Sequence, residues 1–281
     1  MRKGIYILPS LCTTGNAVCG FYSIISVMNG VMIHSEGDVE KSQQAFLAAA
    51  YAIMLGIIFD GIDGRIARMT KSTSRFGLEF DSLADLISFG LAPGLLVYSW
   101  ALRPYGKIGW LAAFLFVICG ALRLARFNTQ SSGGEGKYFT GLPIPAAAGV
   151  IATLIIFYFN YWESFVGFLR YRAITTVIIV YVLAFLMVST VKFRSFKKFD
   201  IKKRKPFNTV LGLILIILII IMKPQIMVFL IFWGYTLFGA VEGVYLLVKK
   251  LTSPRIEQEK RKPIFRRRKK DMYDKGENQN F

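Results

Sequence analysis

Asp60-Gly-Ile-Asp63-Gly64-Arg-Ile-Ala67-Arg68, eight further residues, then Gly77-Leu-Glu-Phe-Asp81-Ser-Leu-Ala-Asp85: four carboxylates stand in a stretch that otherwise reads as two membrane helices. At about 100° per residue, Asp60, Asp63, Gly64 and Ala67 share roughly one third of a helix circumference. Gly77, Asp81 and Asp85, at i, i+4 and i+8, form a second narrow stripe. A carboxylate in hydrocarbon costs several kcal/mol unless it is paired or coordinated, so two acidic stripes at the ends of apolar helices point to a functional site able to hold metal.

The composition around this stretch is that of a membrane protein. Of 281 residues, 54% are hydrophobic and only 19% charged, and the mean hydropathy is +0.48, outside the range of an ordinary soluble domain. The expected fold is all-α and polytopic. Windows of about 20 apolar residues, enough to cross a core of about 30 Å, centre on 11–33, 45–66, 80–102, 108–126, 142–162, 172–191, 207–222 and 225–248, which gives eight spans. Pro224 separates the last two, since proline cannot continue a helix. The start, Met1 to Ser10, has no small-residue cleavage site, so the first helix is expected to be retained.

Charge placement orients the spans. With the N-terminus inside, inside segments carry 29 of the 35 Lys and Arg residues, the bias expected of cytoplasmic loops. Both termini and the acidic cluster then face the cytoplasm, in the cell's inner membrane. The domain reading is a six-helix membrane domain over 1–200, two additional helices over 201–250, and a basic, disordered tail over 251–281. That tail suits anionic membrane lipids. No folded reader of nucleic acid accompanies it, and the net charge of +18 follows from the inside bias, so no nucleic-acid partner is expected.

Several chemistries are excluded. Cys12, Cys19 and Cys119 lie in apolar segments without a paired spacing, and His34 is the only histidine. Neither a disulfide framework, a thiolate or multi-histidine metal site, nor a Ser-His or Cys-His relay is indicated. Acid-base chemistry falls to carboxylates.

Four Asp at helical spacing suit a cation path, a proton relay or a di-metal centre. The small residues between them discriminate. Gly64 and Ala67 leave room against the backbone beside Asp60 and Asp63, and Arg68 adds a fixed cation. Such a wall suits a nucleotide diphosphate, whose oxygens two carboxylate-held divalent ions can bridge.

At every fixed position, Asp60 to Asp85 resembles the D-x2-D-G-x2-A-R-x8-G-x3-D-x3-D signature of the CDP-alcohol phosphotransferases. The resemblance implies an intramembrane transferase that moves a phosphatidyl-type group from a CDP-linked lipid to an alcohol and releases CMP. It implies two Mg2+ or Mn2+ ions on Asp60, Asp63, Asp81 and Asp85, nucleotide or phosphate contacts from Gly64, Arg68 and Ser74, Asp85 as the base toward the acceptor hydroxyl, and a homodimer.

Three further stretches resemble the phosphatidylserine synthase branch: Leu8 to Phe21, Arg123-Leu-Ala-Arg126-Phe-Asn128 with Gly141 to Ala148, and Met187 to Phe193. This branch implies CDP-diacylglycerol as donor and L-serine as acceptor. Each stretch also has a plainer reading. Thr13 and Asn16, at i and i+3, form interhelical hydrogen bonds or line the nucleotide pocket. Arg123 and Arg126 hold the serine carboxylate or a lipid phosphate through charge-assisted hydrogen bonds, or are snorkelling inside charges, and Asn128 assists the amino-acid headgroup. Lys137 belongs to a lid or a linker, and Gly90-x-x-x-Gly94 packs within the chain or forms a dimer face. Alternatives to serine are glycerol 3-phosphate and inositol phosphate as acceptors, and, without catalysis, a cation carrier built on the Asp cluster.

Overall fold

A computed structural model describes residues 7–70, 75–130, 138–162, 172–194 and 223–252. The seventh expected span, Ser74, Lys137 and the basic tail beyond Thr252 lie outside these residues. Among the described residues, five helical stretches are long and apolar enough to cross a membrane, and Ile174–Val188 is a shorter apolar helix. The expected all-α, multi-pass membrane fold is what the chain adopts.

Helices α1 (Ile7–Ser35) and α2 (Val39–Thr70) form an antiparallel hairpin. Gly37, with φ +92, makes the reversal. There Asp38 accepts a hydrogen bond from the backbone N–H of Lys41 at 3.0 Å, capping α2. Its hydrogen bonds from the Lys41 side chain and backbone hold its carboxyl below the ordinary range. On α1 the exposed face carries Leu11, Val18, Phe21, Ile25, Met28 and Met32, a lipid-facing stripe at helical spacing, while the opposite face buries Thr13, Asn16, Cys19, Ser23 and Val27. Lipid is as apolar as leucine, so these helices are held by close packing of small residues rather than by exclusion from water. Ala49 and Ala50 are fully buried on α2.

A second hairpin follows. Its first arm is helix α3 (Arg75–Asp85), a π-helical segment Leu86–Leu91, helix α4 (Ala92–Val97) and a second π segment Tyr98–Leu102; its return arm is α5 (Gly106–Gln130). Pro93 has no N–H for the Phe89 carbonyl and crowds it, which suits the wider π turn before it. The N–H of Ala92 bonds to the Ile87 carbonyl, five residues back. The chain reverses at Arg103–Tyr105 and Gly106, whose φ is +50. The return arm then lies against the first: a Cβ on Gly94 would meet Val117 at 2.9 Å and the Ala113 carbonyl at 3.6 Å. Gly90 and Gly94 are therefore buried within the chain, the intramolecular one of the two readings of that motif.

Helix α6 (Ile144–Phe157) continues into a π segment, Tyr158–Trp162, and is followed by α7 (Arg172–Val188). Two short strands outside the all-helical expectation, β1 (Tyr138–Thr140) and β2 (Lys192–Arg194), pair antiparallel with Phe139 opposite Phe193. Beside them the Gly141 N–H bonds to the Val191 carbonyl at 2.8 Å. Gly141 has φ +84, and a Cβ there would collide with the Met187 carbonyl, so only glycine fits.

The final described helix is α8 (Pro224–Thr252), which opens on proline where no intrahelical N–H is needed. By compactness the chain divides into residues 1–242 and 243–281, and the described part of the second unit is the last turns of α8. In the first unit α8 runs antiparallel to α6: Tyr161 donates to Gln225 at 3.3 Å, Phe229 stacks on Phe157 at 4.6 Å between ring centroids, and Phe232 lies over Gly149. Cys12, Cys19 and Cys119 are free thiols.

Candidate active site

The site lies at one end of the bundle, where the start of α1, the end of α2, α3 and the end of α5 meet. Because α2 stays helical through Thr70, Asp60, Asp63, Gly64, Ala67 and Arg68 share one uninterrupted helix. The third span begins earlier than hydropathy alone suggests, at Arg75, so Asp81 and Asp85 both stand on the ordered turns of α3.

Oxygens of Asp60, Asp63 and Asp81 lie within 4.8 Å of one another. Asp85, one turn beyond Asp81, is outside that trio yet within electrostatic reach of all three carboxylates. Asp63 is 3% and Asp85 8% exposed. Such crowding of like charges in a low-dielectric setting needs a counter-charge.

The residues fit a hard cation. Oxygen-only donors suit Mg2+ or Mn2+, and Asp81 Oδ1 is buried with no hydrogen-bond partner. Helix α1 supplies the supporting contacts: Thr13 Oγ1 donates to Asp63 Oδ2 at 3.0 Å, and Asn16 Nδ2 donates to Asp85 Oδ1 at 3.1 Å. Hydrogen bonds of this kind fix the orientation of metal-ligating carboxylates. Both of these α1 residues thus reach the cluster through carboxylates. Ser88, absent from the sequence reading, holds this arrangement from the π segment by donating to the Asn16 carbonyl at 2.8 Å. The Asn16 Oδ1 atom is buried, has no partner, and lies 3.0 Å from where a Cβ on Gly56 would sit.

Among the described residues, a Cβ on Gly64 would meet nothing within 4 Å, so open space borders the backbone beside Asp63. Ala67 and Arg68 belong to the same end of α2; Ser74 is outside the described residues.

The three residues singled out near the end of α5 separate. Arg126 donates from Nη1 to the Val188 carbonyl at 3.3 Å, tying α5 to α7. Asn128 Nδ2 donates to Ser82 at 3.0 Å and to Glu79 at 3.4 Å, tying α5 to α3. Arg123 interacts electrostatically with Asp85 and Asp60, and among the described residues its Nε is buried with no hydrogen-bond partner.

Residues 6–171 match the family model described as CDP-alcohol phosphatidyltransferase. Among curated proteins, the chain is 34% identical over 247 residues to a CDP-diacylglycerol–serine O-phosphatidyltransferase of Helicobacter pylori, covering 87% of this chain and 94% of that one. It is 37% identical over 191 residues to the protein of the same name from Bacillus subtilis, covering 68% and 92%. It is also 37% identical over 188 residues to an archaetidylserine synthase of Methanothermobacter thermautotrophicus, covering 66% and 69%. With these matches and the carboxylate cluster between its second and third helices, the chain belongs to the CDP-alcohol phosphatidyltransferase family.

Proposed function

We propose that this protein transfers the phosphatidyl group of CDP-diacylglycerol to the hydroxyl of L-serine, giving phosphatidylserine and CMP. The observation that carries the reading is the trio of carboxylates within 4.8 Å at an open bundle end, in a chain whose relatives across 87% of its length are named for that reaction.

Asp60, Asp63 and Asp81 would hold one divalent ion, and Asp85 would complete a second site. Bound there, Mg2+ or Mn2+ supplies positive charge that stabilises the diphosphate and the departing CMP. The chain's own residues do the rest. Open space at Gly64 admits the CDP head, with Ala67 alongside and Arg68 and Ser74 meeting its phosphates, as the family resemblance implies. Thr13 and Asn16 keep the Asp63 and Asp85 carboxylates aimed. Arg123 faces an oxyanion of either substrate, and Arg126 and Asn128 brace the helix that carries it.

As the serine oxygen forms its bond to the lipid-side phosphorus, the bond from that phosphorus to the CMP oxygen breaks, and the serine proton passes to Asp85. Holding both reactants against fixed carboxylates supplies much of the barrier reduction. The charge bias of the loops supports a site open to the cytoplasm of the inner membrane, where serine arrives from water while the acyl chains stay in lipid. Two copies would pair through faces other than Gly90 and Gly94, which internal packing already uses. The domain boundaries follow the sequence reading, with the catalytic helices in 1–200 and the tail from 251 lying on anionic lipid.

The test is an acceptor panel. Purified protein with CDP-diacylglycerol and Mg2+ or Mn2+ should release CMP with L-serine, lose that activity in chelator and regain it on adding either ion. CMP release with glycerol 3-phosphate or inositol phosphate but not with serine would refute the acceptor assignment. Divalent-cation flux without CMP release would refute the transferase reading.

A further inference from the structure

Arg123 is a guanidinium inside a membrane protein, with Nε buried and unpartnered, and a charge in such a place is stable only where something orients it. Two sets of contacts fix which parts of α5, α6 and α8 lie near its level. One turn earlier on α5, Gly120 packs on Ile144, the first residue of α6, and on Met187. From the other side α8 reaches the same level. Phe232 lies over Gly149, and Tyr235, three residues later and so on a neighbouring part of the same face, is half-buried against the core. The phenol of Tyr235 is within electrostatic reach of Arg123, which in turn has reach to Asp85 and Asp60.

We propose that Tyr235, on a helix beyond the family-matched residues 6–171, is a positioning residue: its phenol oxygen holds the Arg123 guanidinium toward the site, ready for an oxyanion of a substrate. The oxyanion is a carboxylate if it belongs to the amino-acid acceptor and a phosphate if it belongs to the CDP-lipid. This deepens, and rests on, the transfer reaction proposed above. It also gives α8 a part in the reaction, where hydropathy assigned it only a span.

The experiment uses the full-length protein and compares Tyr235→Phe with Tyr235→Leu, varying serine and CDP-diacylglycerol separately. Removing one hydrogen bond to a charged group is expected to raise one KM about tenfold, with kcat changed less than about twofold as for a binding contact. A rise in the serine KM identifies the carboxylate, and a rise in the CDP-diacylglycerol KM identifies the phosphate; either supports the inference. In an Arg123→Lys background, the Phe substitution should have a smaller effect than in the wild type, because the two residues act as a pair. Unchanged KM values in Tyr235→Phe, with only Tyr235→Leu lowering thermal stability, would overturn the inference and leave the ring as packing. If the wild type rejects serine, the acceptor reading fails by itself. The Tyr235→Phe comparison then runs with whichever acceptor the wild type uses, and the same KM criterion decides it.

Discussion

At the scale of single residues, Asn16 makes the most specific commitment. Its amide donates to Asp85 at 3.1 Å while its backbone carbonyl accepts from Ser88. Asn16→Ala should lower kcat for CMP release by about 10- to 100-fold, the usual effect of removing a partner that orients a metal-binding carboxylate. Steady-state kinetics checks this, and an unchanged kcat would show that Asp85 keeps its orientation without α1. The four aspartates were legible in sequence because their spacing is local: helix geometry alone places Asp60 beside Asp63 and Asp81 beside Asp85. Their partners were not assignable. Thr13 lies 50 residues from Asp63 and Asn16 lies 69 from Asp85, and no periodicity selects one buried polar residue over another at such separations. Arg123, Arg126 and Asn128 looked equivalent in sequence, and only the surrounding helices sort them, giving two of them backbone or side-chain partners at the helix end and leaving the Nε of the third buried without one among the described residues.

At the scale of elements, close helix approach is set by glycines whose absent side chains other residues occupy. A Cβ on Gly20 would fall 2.6 Å from the Ser88 Cα and 2.9 Å from its Cβ. Gly20→Val should therefore force α1 away from the π segment and cost about 1–3 kcal/mol, seen as a lower thermal midpoint in detergent. Gly234→Ala is the control, since a Cβ there meets nothing within 4 Å, and it should leave the midpoint unchanged or slightly higher. Hydropathy located the centres of the apolar helices but misjudged their details. The third span starts at Arg75 rather than near residue 80, because the acidic residues that dilute its hydropathy leave its helix intact. Its π segments also carry no hydropathy signal. The β1–β2 pair was invisible for a different reason: three residues on each side are too few for an alternating pattern.

At the scale of the whole molecule, both hairpin reversals, at Gly37 and Gly106, are at the end away from the carboxylates. In the orientation proposed from the loop-charge bias, that end faces outside. In a background with Cys12, Cys19 and Cys119 replaced by serine, Glu36→Cys should react with a membrane-impermeant maleimide added to intact cells, while Thr129→Cys should react only after the membrane is opened. The reverse pattern would invert the orientation. The helical, multi-pass architecture could be read from hydropathy because it is a one-dimensional property of the chain. Which helices touch could not, and the proposed pairing of Tyr235 with Arg123, 112 positions apart, is the clearest instance. Helix α1 shows what such meetings imply. It contributes no carboxylate, yet two of its side chains less than one turn apart hold carboxylates on two different helices. An axial slide of one turn, about 5.4 Å, would break both hydrogen bonds together. The depth at which α1 sits in the bilayer and the alignment of the aspartates are thus a single variable, and whatever sets the first also tunes the second.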